Sequence, residues 1–173
     1  MVIVLMGYMA SGKSTIGNFL AKKLDYKFID LDDYIESQEG IAIKQIFSEK
    51  GELYFRKLEA KYLIKLLKTE KNTVLALGGG TPCYGNNLEY ILNASNAVSV
   101  YLKASINSII KRLEDEKSKR PLIAHLNTKK DLMEFVGKHL FERSQFYNKA
   151  NYTVNTDNLE LNEIVEQIVL KLY

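Results

Sequence analysis

Residues 7 to 15 read GYMASGKST. A glycine, four residues, then Gly12-Lys13-Ser14 is a spacing suited to phosphate. The glycines let the backbone wrap closely around phosphate oxygens, and successive N–H groups with the following helix N-terminus supply aligned positive dipoles. The stretch from Gly7 through Ala10, Ser11 and Gly12 to Lys13, Ser14 and Thr15 is therefore the candidate nucleotide cradle. Lys13 would reach the β- and γ-phosphates, and the Ser14 hydroxyl would ligate Mg²⁺. The bland alternative is a glycine turn with an exposed lysine. It is disfavoured because an apolar strand pattern precedes the motif and a helical pattern follows it.

A second group of oxygens follows in FIDLDDYIE, with Asp30, Asp32 and Asp33. Alternate residues of an extended stretch face the same way, so Asp30 and Asp32 are expected to share a side while Asp33 points elsewhere. One carboxylate could hold the water shell of Mg²⁺, and the other could accept a proton from an attacking hydroxyl. Asp33 is expected to cap a helix beginning near Tyr34. Further on, LGGG at 77 to 80 places Gly78, Gly79 and Gly80 after an apolar strand. Three glycines there cost backbone entropy, and close approach by a ligand is a reason for them.

The chain has 24 Lys and Arg together, of which only four are arginine: Arg56, Arg112, Arg120 and Arg143. Lysine meets the general demand for positive charge, so the arginines are expected where a planar, forked donor is needed for carboxylate or phosphate. A shared anionic ligand follows from the four together. Neither His125 nor His139 has metal-ligand spacing with Cys83, and a lone cysteine is assigned no role. The eleven tyrosines are spread along the chain and do not form a base-stacking platform.

Positioning these groups requires strands ending at one edge. Apolar runs predict strands at 2–6, 27–30, 72–80, 97–102 and 152–155. Amphipathic spacing predicts helices at 13–24, 52–69, 86–94, 105–114, 128–147 and 159–172. Strands alternating with helices argue for a parallel sheet in a doubly wound α/β fold, with ligands beyond the carboxyl ends of the strands. Residues 31–60 and 115–125 break the alternation and read as lobes over that edge, the second as a flap.

At 173 residues, the chain suits one domain. A net charge of +3 and scattered basic residues argue against nucleic acid or an anionic membrane as partner. No apolar run approaches the ~20 residues of a membrane span, and the opening MVIVLMG lacks a charged leader region. A soluble, cytoplasmic and monomeric protein is expected.

Taken together, these stretches resemble the shikimate kinases, in order and spacing, over essentially the whole length: GYMASGKSTIG, FIDLDDYIE, GELYFRKLEA, LALGGGTP, KRPLI and ERSQFY. The resemblance implies a P-loop kinase of the nucleoside monophosphate kinase type. Such a fold is a three-layer sandwich on a five-stranded parallel sheet, here one domain over 1–173 with a substrate lobe at about 31–60 and a lid at about 112–125. It implies ATP and Mg²⁺ as phosphoryl donor and metal, and shikimate as acceptor, phosphorylated at its 3-hydroxyl in aromatic amino-acid biosynthesis. By this resemblance Asp30 assists Mg²⁺ through water and Asp32 hydrogen-bonds the shikimate hydroxyls. Arg56 and Arg143 clamp its carboxylate, and Gly78, Gly79 and Gly80 line the same pocket. Arg120 closes over the phosphates, acting with Lys13 and Asp32 in catalysis, and Arg112 flanks the adenine.

The chain departs from the family's pattern at three places. Ala10 stands where glycine is common, a change expected to matter little because the motif leaves that position free. Leu31 fills the middle of the D-x-D pair. NTDNLELN lacks the basic or proline residue that often packs on adenine. Two rivals stand beside this reading: a kinase of the same fold for another small carboxylate-bearing alcohol such as gluconate, and a catalytically inactive ATP-binding regulatory protein.

Overall fold

β1 (Val2–Met6) is five apolar residues with no exposure to solvent, as a strand must be when it lies at the centre of a sheet covered on both faces. Its alternation divides the molecule. Val2, Val4 and Met6 face one core and Ile3 and Leu5 face the other. In this computed structural model, which describes residues 1–116, 123, 126 and 128–173, five parallel strands run in the order β2-β3-β1-β4-β5. The others are β2 (Lys27–Asp30), β3 (Thr73–Ala76), β4 (Ala97–Lys103) and β5 (Tyr152–Asn155).

α1 (Lys13–Leu24) and α7 (Leu161–Leu172) cover the odd-numbered face of β1 through Ile16, Leu20, Ile164 and Ile168. The other face carries α2 (Leu31–Glu39), α3 (Ile43–Thr69), α4 (Asn87–Asn93), α5 (Ile106–Glu116) and α6 (Lys129–Tyr147). The result is the expected three-layer α/β sandwich on a five-stranded parallel sheet. No helix among the described residues is long and apolar enough to cross a membrane. Arg120, Pro121 and His125, and with them most of the expected lid, lie outside the described residues.

Three elements differ from the sequence reading. The third strand stops at Ala76; one further ladder bond runs from Leu77 N to Leu5 O at 3.0 Å, and the glycine run then turns into a short 3₁₀ helix at Thr81–Cys83. α2 begins at Leu31, not near Tyr34, and its N-cap is Asp30, whose Oδ1 accepts from the Asp32 N–H at 3.1 Å. Asp33 is therefore a first-turn residue and not the cap. α3 holds a further helical piece from Ile43, separated from the predicted helix at 52–69 by Gly51, whose φ of 79° is not helical. A residue with a Cβ would resist that left-handed conformation.

Gly17 on α1 leaves no room for a side chain: a Cβ there would lie 2.5 Å from Cε2 of Phe28 and 3.2 Å from Cδ1 of Leu5. Gly17→Val should cost about 1–3 kcal/mol by overpacking, lowering Tm by about 2–4 °C per kcal/mol. A circular dichroism melt checks this, and an unchanged Tm would refute tight α1–sheet packing.

Candidate active site

The loop after β1 returns over the carboxyl ends of the strands to enter α1. Its last residue, Gly12, is the α1 N-cap at φ 95°, with no side chain to close the helix end. The first-turn N–H groups of α1 therefore face the loop, and no acidic residue lies in that turn. Lys13 Nζ donates to the carbonyl oxygens of Gly7 and Tyr8, both at 2.8 Å, so the ammonium lies across the mouth of the loop. Ala10 has φ 58°. This corrects the expectation that alanine here matters little, because the left-handed region costs a non-glycine residue about 1–2 kcal/mol.

A cleft of about 590 Å³ opens beside this loop, a size ordinary for a small-molecule site. Residues 9–16 form one wall; Asp30, Asp32, Gly78, Gly79 and Arg112 also line it. Asp30 and Asp32 do meet in one cleft, although not by strand alternation. Asp30 ends β2 and Asp32 sits in the first turn of α2, so a change of secondary structure brings them together.

Ser14 Oγ donates to Asp30 Oδ2 at 2.8 Å. A hydroxyl and a carboxylate held together beside a phosphate loop suit Mg²⁺, which takes one or two protein oxygens and completes its shell with water and phosphate. Among the described residues no group of three His, Cys, Asp or Glu could form an all-protein metal cage.

Asp32 is half-buried, and its Oδ1, itself shielded from solvent, has no hydrogen-bond partner among the described residues. Burial, then the neighbouring carboxylates of Asp30 and Glu59, push its carboxyl up to about 7, against the pull of Lys13 and Arg56. A carboxylate poised there, with a free oxygen, can accept a proton or a hydroxyl hydrogen bond.

The two arginines expected at the acceptor do not line the cleft itself. Arg56, on α3, lies beside Gly80, whose added Cβ would come within 3.1 Å of Nη2. Its Nη1 donates to Glu59 Oε2 at 2.9 Å, and Nε and Nη2 donate to Glu52 Oε1 at 3.3 and 3.2 Å. Burial opposes the charge on Arg56, but Glu59 foremost outweighs it and holds the guanidinium protonated. Arg143, on α6, passes 5.9 Å from the Tyr8 ring centre, and no carboxylate pairs with it among the described residues. The charges of both arginines reach Cys83, whose thiol burial nonetheless pushes up to about 11. That thiol stays protonated and inert, as expected.

Two tethers run from α6 to this edge. Tyr147 donates its hydroxyl to the Gly79 carbonyl, and Tyr8 shares a 3.1 Å hydrogen bond with His139 Nδ1. His139 is thus structural, as read from the sequence.

Arg112 donates from Nη1 to the Ala10 carbonyl at 2.9 Å, over the phosphate loop. Asp157 accepts from the Ser105 N–H at 3.1 and 3.0 Å and so is committed to the protein itself. The cleft wall near it is apolar, made by Leu159, Leu161 and Ile164.

Sequence reading missed two groups here. Those three apolar residues are indistinguishable by pattern from core positions. Glu59 is 1% exposed and anchored by Thr81 Oγ1 at 2.6 Å; its i,i+3 spacing from Arg56 was the available signal.

The glycine run also meets close approach by the protein itself. Gly78 faces Asp32 Oδ1 and Glu59 Oε1, Gly79 faces the Met9 N–H, and Gly80 faces Arg56.

Because the carboxyl of Asp32 is raised from 3.8 to about 7, the folded state holds a proton that the unfolded state has lost between those values. The stability that Asp32 allows therefore falls as pH rises from about 4 to about 7. Asp32→Asn should raise Tm by several degrees at pH 8, with the gain closing toward pH 4. Equal melting of both proteins at pH 8 would contradict the strained burial of this carboxylate.

Comparison with known proteins agrees with this geometry. The family model for shikimate kinase matches residues 9–173. A shikimate kinase of Flavobacterium johnsoniae is 48% identical over 167 residues, covering 96% of each chain. The crystal structure of a shikimate kinase from Bacteroides thetaiotaomicron superposes with a TM-score of 0.90 at 33% identity, covering 99% of this chain and 98% of that one. The Acinetobacter baumannii shikimate kinase, solved in complex with shikimate, superposes at 0.84 with 30% identity, covering 99% and 92%. With a family model matched over residues 9–173 and a relative 48% identical over 96% of the chain, the chain belongs to the shikimate kinase family.

Proposed function

We propose that the protein transfers the γ-phosphoryl group of ATP to the 3-hydroxyl of shikimate, giving shikimate 3-phosphate and ADP. The observation that carries this reading is Asp32: a carboxylate with one buried, unpartnered oxygen, pushed up to about 7, in the same cleft as the phosphate loop.

Phosphoryl transfer depends on positioning and charge neutralisation more than on covalent chemistry by the protein. Lys13 would exchange the Gly7 and Tyr8 carbonyls for the β- and γ-phosphate oxygens. Asp32 would orient the acceptor hydroxyl and take its proton. Arg56 and Arg143 would grip the carboxylate, with Gly79 and Gly80 at the wall between. Mg²⁺, held by Ser14 and through water by Asp30, would neutralise charge on the bridging phosphates.

Arg112 and the apolar wall of Leu159, Leu161 and Ile164 are suited to flank the base. A single domain with a substrate lobe at 31–60 and a lid at 112–125 completes the reading. Arg120 is assigned to the phosphates from that lid and lies outside the described residues. The protein is taken as a cytoplasmic monomer.

The family match disfavours gluconate as acceptor, since paired arginines alone would suit any small carboxylate. Lys13, Asp30 and Asp32 are all present, which disfavours an inactive binding protein.

ADP release, coupled to NADH oxidation, should depend on both shikimate and Mg²⁺, and chelation with EDTA should abolish it reversibly. Equal rates with shikimate and with buffer would sink the assignment. Asp32→Asn should lower kcat by about 10²–10⁴-fold, the usual range for lost acid–base catalysis. In the unsubstituted enzyme kcat/KM for shikimate should climb with pH to a plateau above about 7, as Asp32 loses its proton. A profile flat from pH 6 to 8 would remove Asp32 from that role.

A further inference from the structure

We propose that Tyr84 is a positioning residue for the acceptor's carboxylate, acting by holding the Arg56 guanidinium flat and in one rotation. The proposal rests on the reading that Arg56 grips that carboxylate.

Arg56 is a long side chain, and a clamp works only if its fork is oriented before the ligand arrives. Glu52 and Glu59 lie on the same helix as Arg56, four residues before it and three after, and they hold two edges of the guanidinium. Contacts in the plane of the fork leave it free to tilt. Tyr84 supplies the missing restraint: its ring centre lies 3.8 Å from Arg56 Cζ, a stacked cation–π geometry.

The Tyr84 hydroxyl also donates to Glu52 Oε1 at 3.2 Å, the same oxygen that takes Nε and Nη2 of Arg56. Glu52 is more than half exposed and immediately follows the Gly51 kink, so it has little else to fix it. One tyrosine therefore restrains the face of the arginine directly and its edge through Glu52.

Of the five guanidinium N–H groups, three are spent on the two glutamates. One N–H on Nη1 and one on Nη2 remain, a pair matched to the two oxygens of a carboxylate. Gly80 keeps the space before that pair open, since a Cβ there would meet Nη2 at 3.1 Å, Nη1 at 3.2 Å and the Tyr84 ring at 3.2 Å.

Tyr84 is carried to this place by the 3₁₀ turn at Thr81–Cys83, whose Thr81 anchors Glu59. The turn that follows the glycine run thus organises the arginine from two sides. Its own backbone is tied by the Cys83 N–H to the Gly80 carbonyl at 2.8 Å.

The test compares steady-state kinetics of Tyr84→Leu, which keeps apolar bulk without a π face, and Tyr84→Phe, which keeps the face without the hydroxyl. Arg56→Ala is run beside them, with shikimate and its methyl ester as acceptors. Tyr84→Leu should raise KM for shikimate about tenfold while kcat and KM for ATP stay within twofold. Tyr84→Phe should recover most of that loss. The preference for shikimate over the uncharged ester should shrink in Tyr84→Leu, which a loss of fold alone would not produce.

If Arg56→Ala leaves KM for shikimate unchanged, the clamp itself is wrong and the Tyr84 role falls with it. If Arg56→Ala raises that KM and Tyr84→Leu does not, only the role of Tyr84 is overturned. A Tyr84→Leu protein impaired equally toward ATP, shikimate and the ester also overturns it.

Discussion

The site depends on a concentration of negative charge that two cations hold in place. Asp30, Asp32 and Glu59 crowd the carboxyl edge of β2 and β3, and the charges of Asp30 and Glu59 add to the cost of ionising the desolvated Asp32. Lys13 and Arg56 offset it, the first from the phosphate loop and the second from α3. Removing either cation leaves buried carboxylates uncompensated, which is costlier than losing a surface ion pair. Burial and this crowding hold the Asp32 proton tightly enough that it is exchanged near neutral pH. Function here draws on an arrangement that the fold alone would not favour.

Such crowding needs close backbone approach, and the glycine run provides it. Each of Gly78, Gly79 and Gly80 stands against a different partner: the carboxylates, the phosphate loop and Arg56. Through them the carboxylate cluster, the phosphate loop and Arg56 share one wall. α6 braces that wall from outside, with Tyr147 on the Gly79 carbonyl and His139 on Tyr8. The packing is stiff because the interior is close-packed, so a shift in one half is felt in the other.

Most of the architecture was legible because its signals are local. β1 is a continuous apolar run, α1 follows a glycine-rich loop, and strands alternate with helices; each is a property of a short window. The misreadings came where local rules compete. D-L-D-D suits an extended strand end or a helix start, and tertiary packing of Leu31 and Ile35 into the core decided for the helix. Gly51 separates two helical pieces, and the pattern at 52–69 caught only the second of them. Ala10 fits the motif's free position, but its positive φ is a fact of the loop's path and not of its letters.

From the sequence alone followed the phosphate loop, the parallel sheet and the placing of Asp30 and Asp32 at its carboxyl edge, because spacing and residue chemistry act within a turn or a strand. Only the tertiary structure decided that Glu59 and Glu52 hold Arg56, that Tyr84 stacks on it, that Leu159, Leu161 and Ile164 wall the cleft, and that the carboxyl of Asp32 is raised. Those are effects of burial and of neighbours brought from distant segments. A side chain's desolvation and its partners are set by where the chain folds back, which no local pattern encodes.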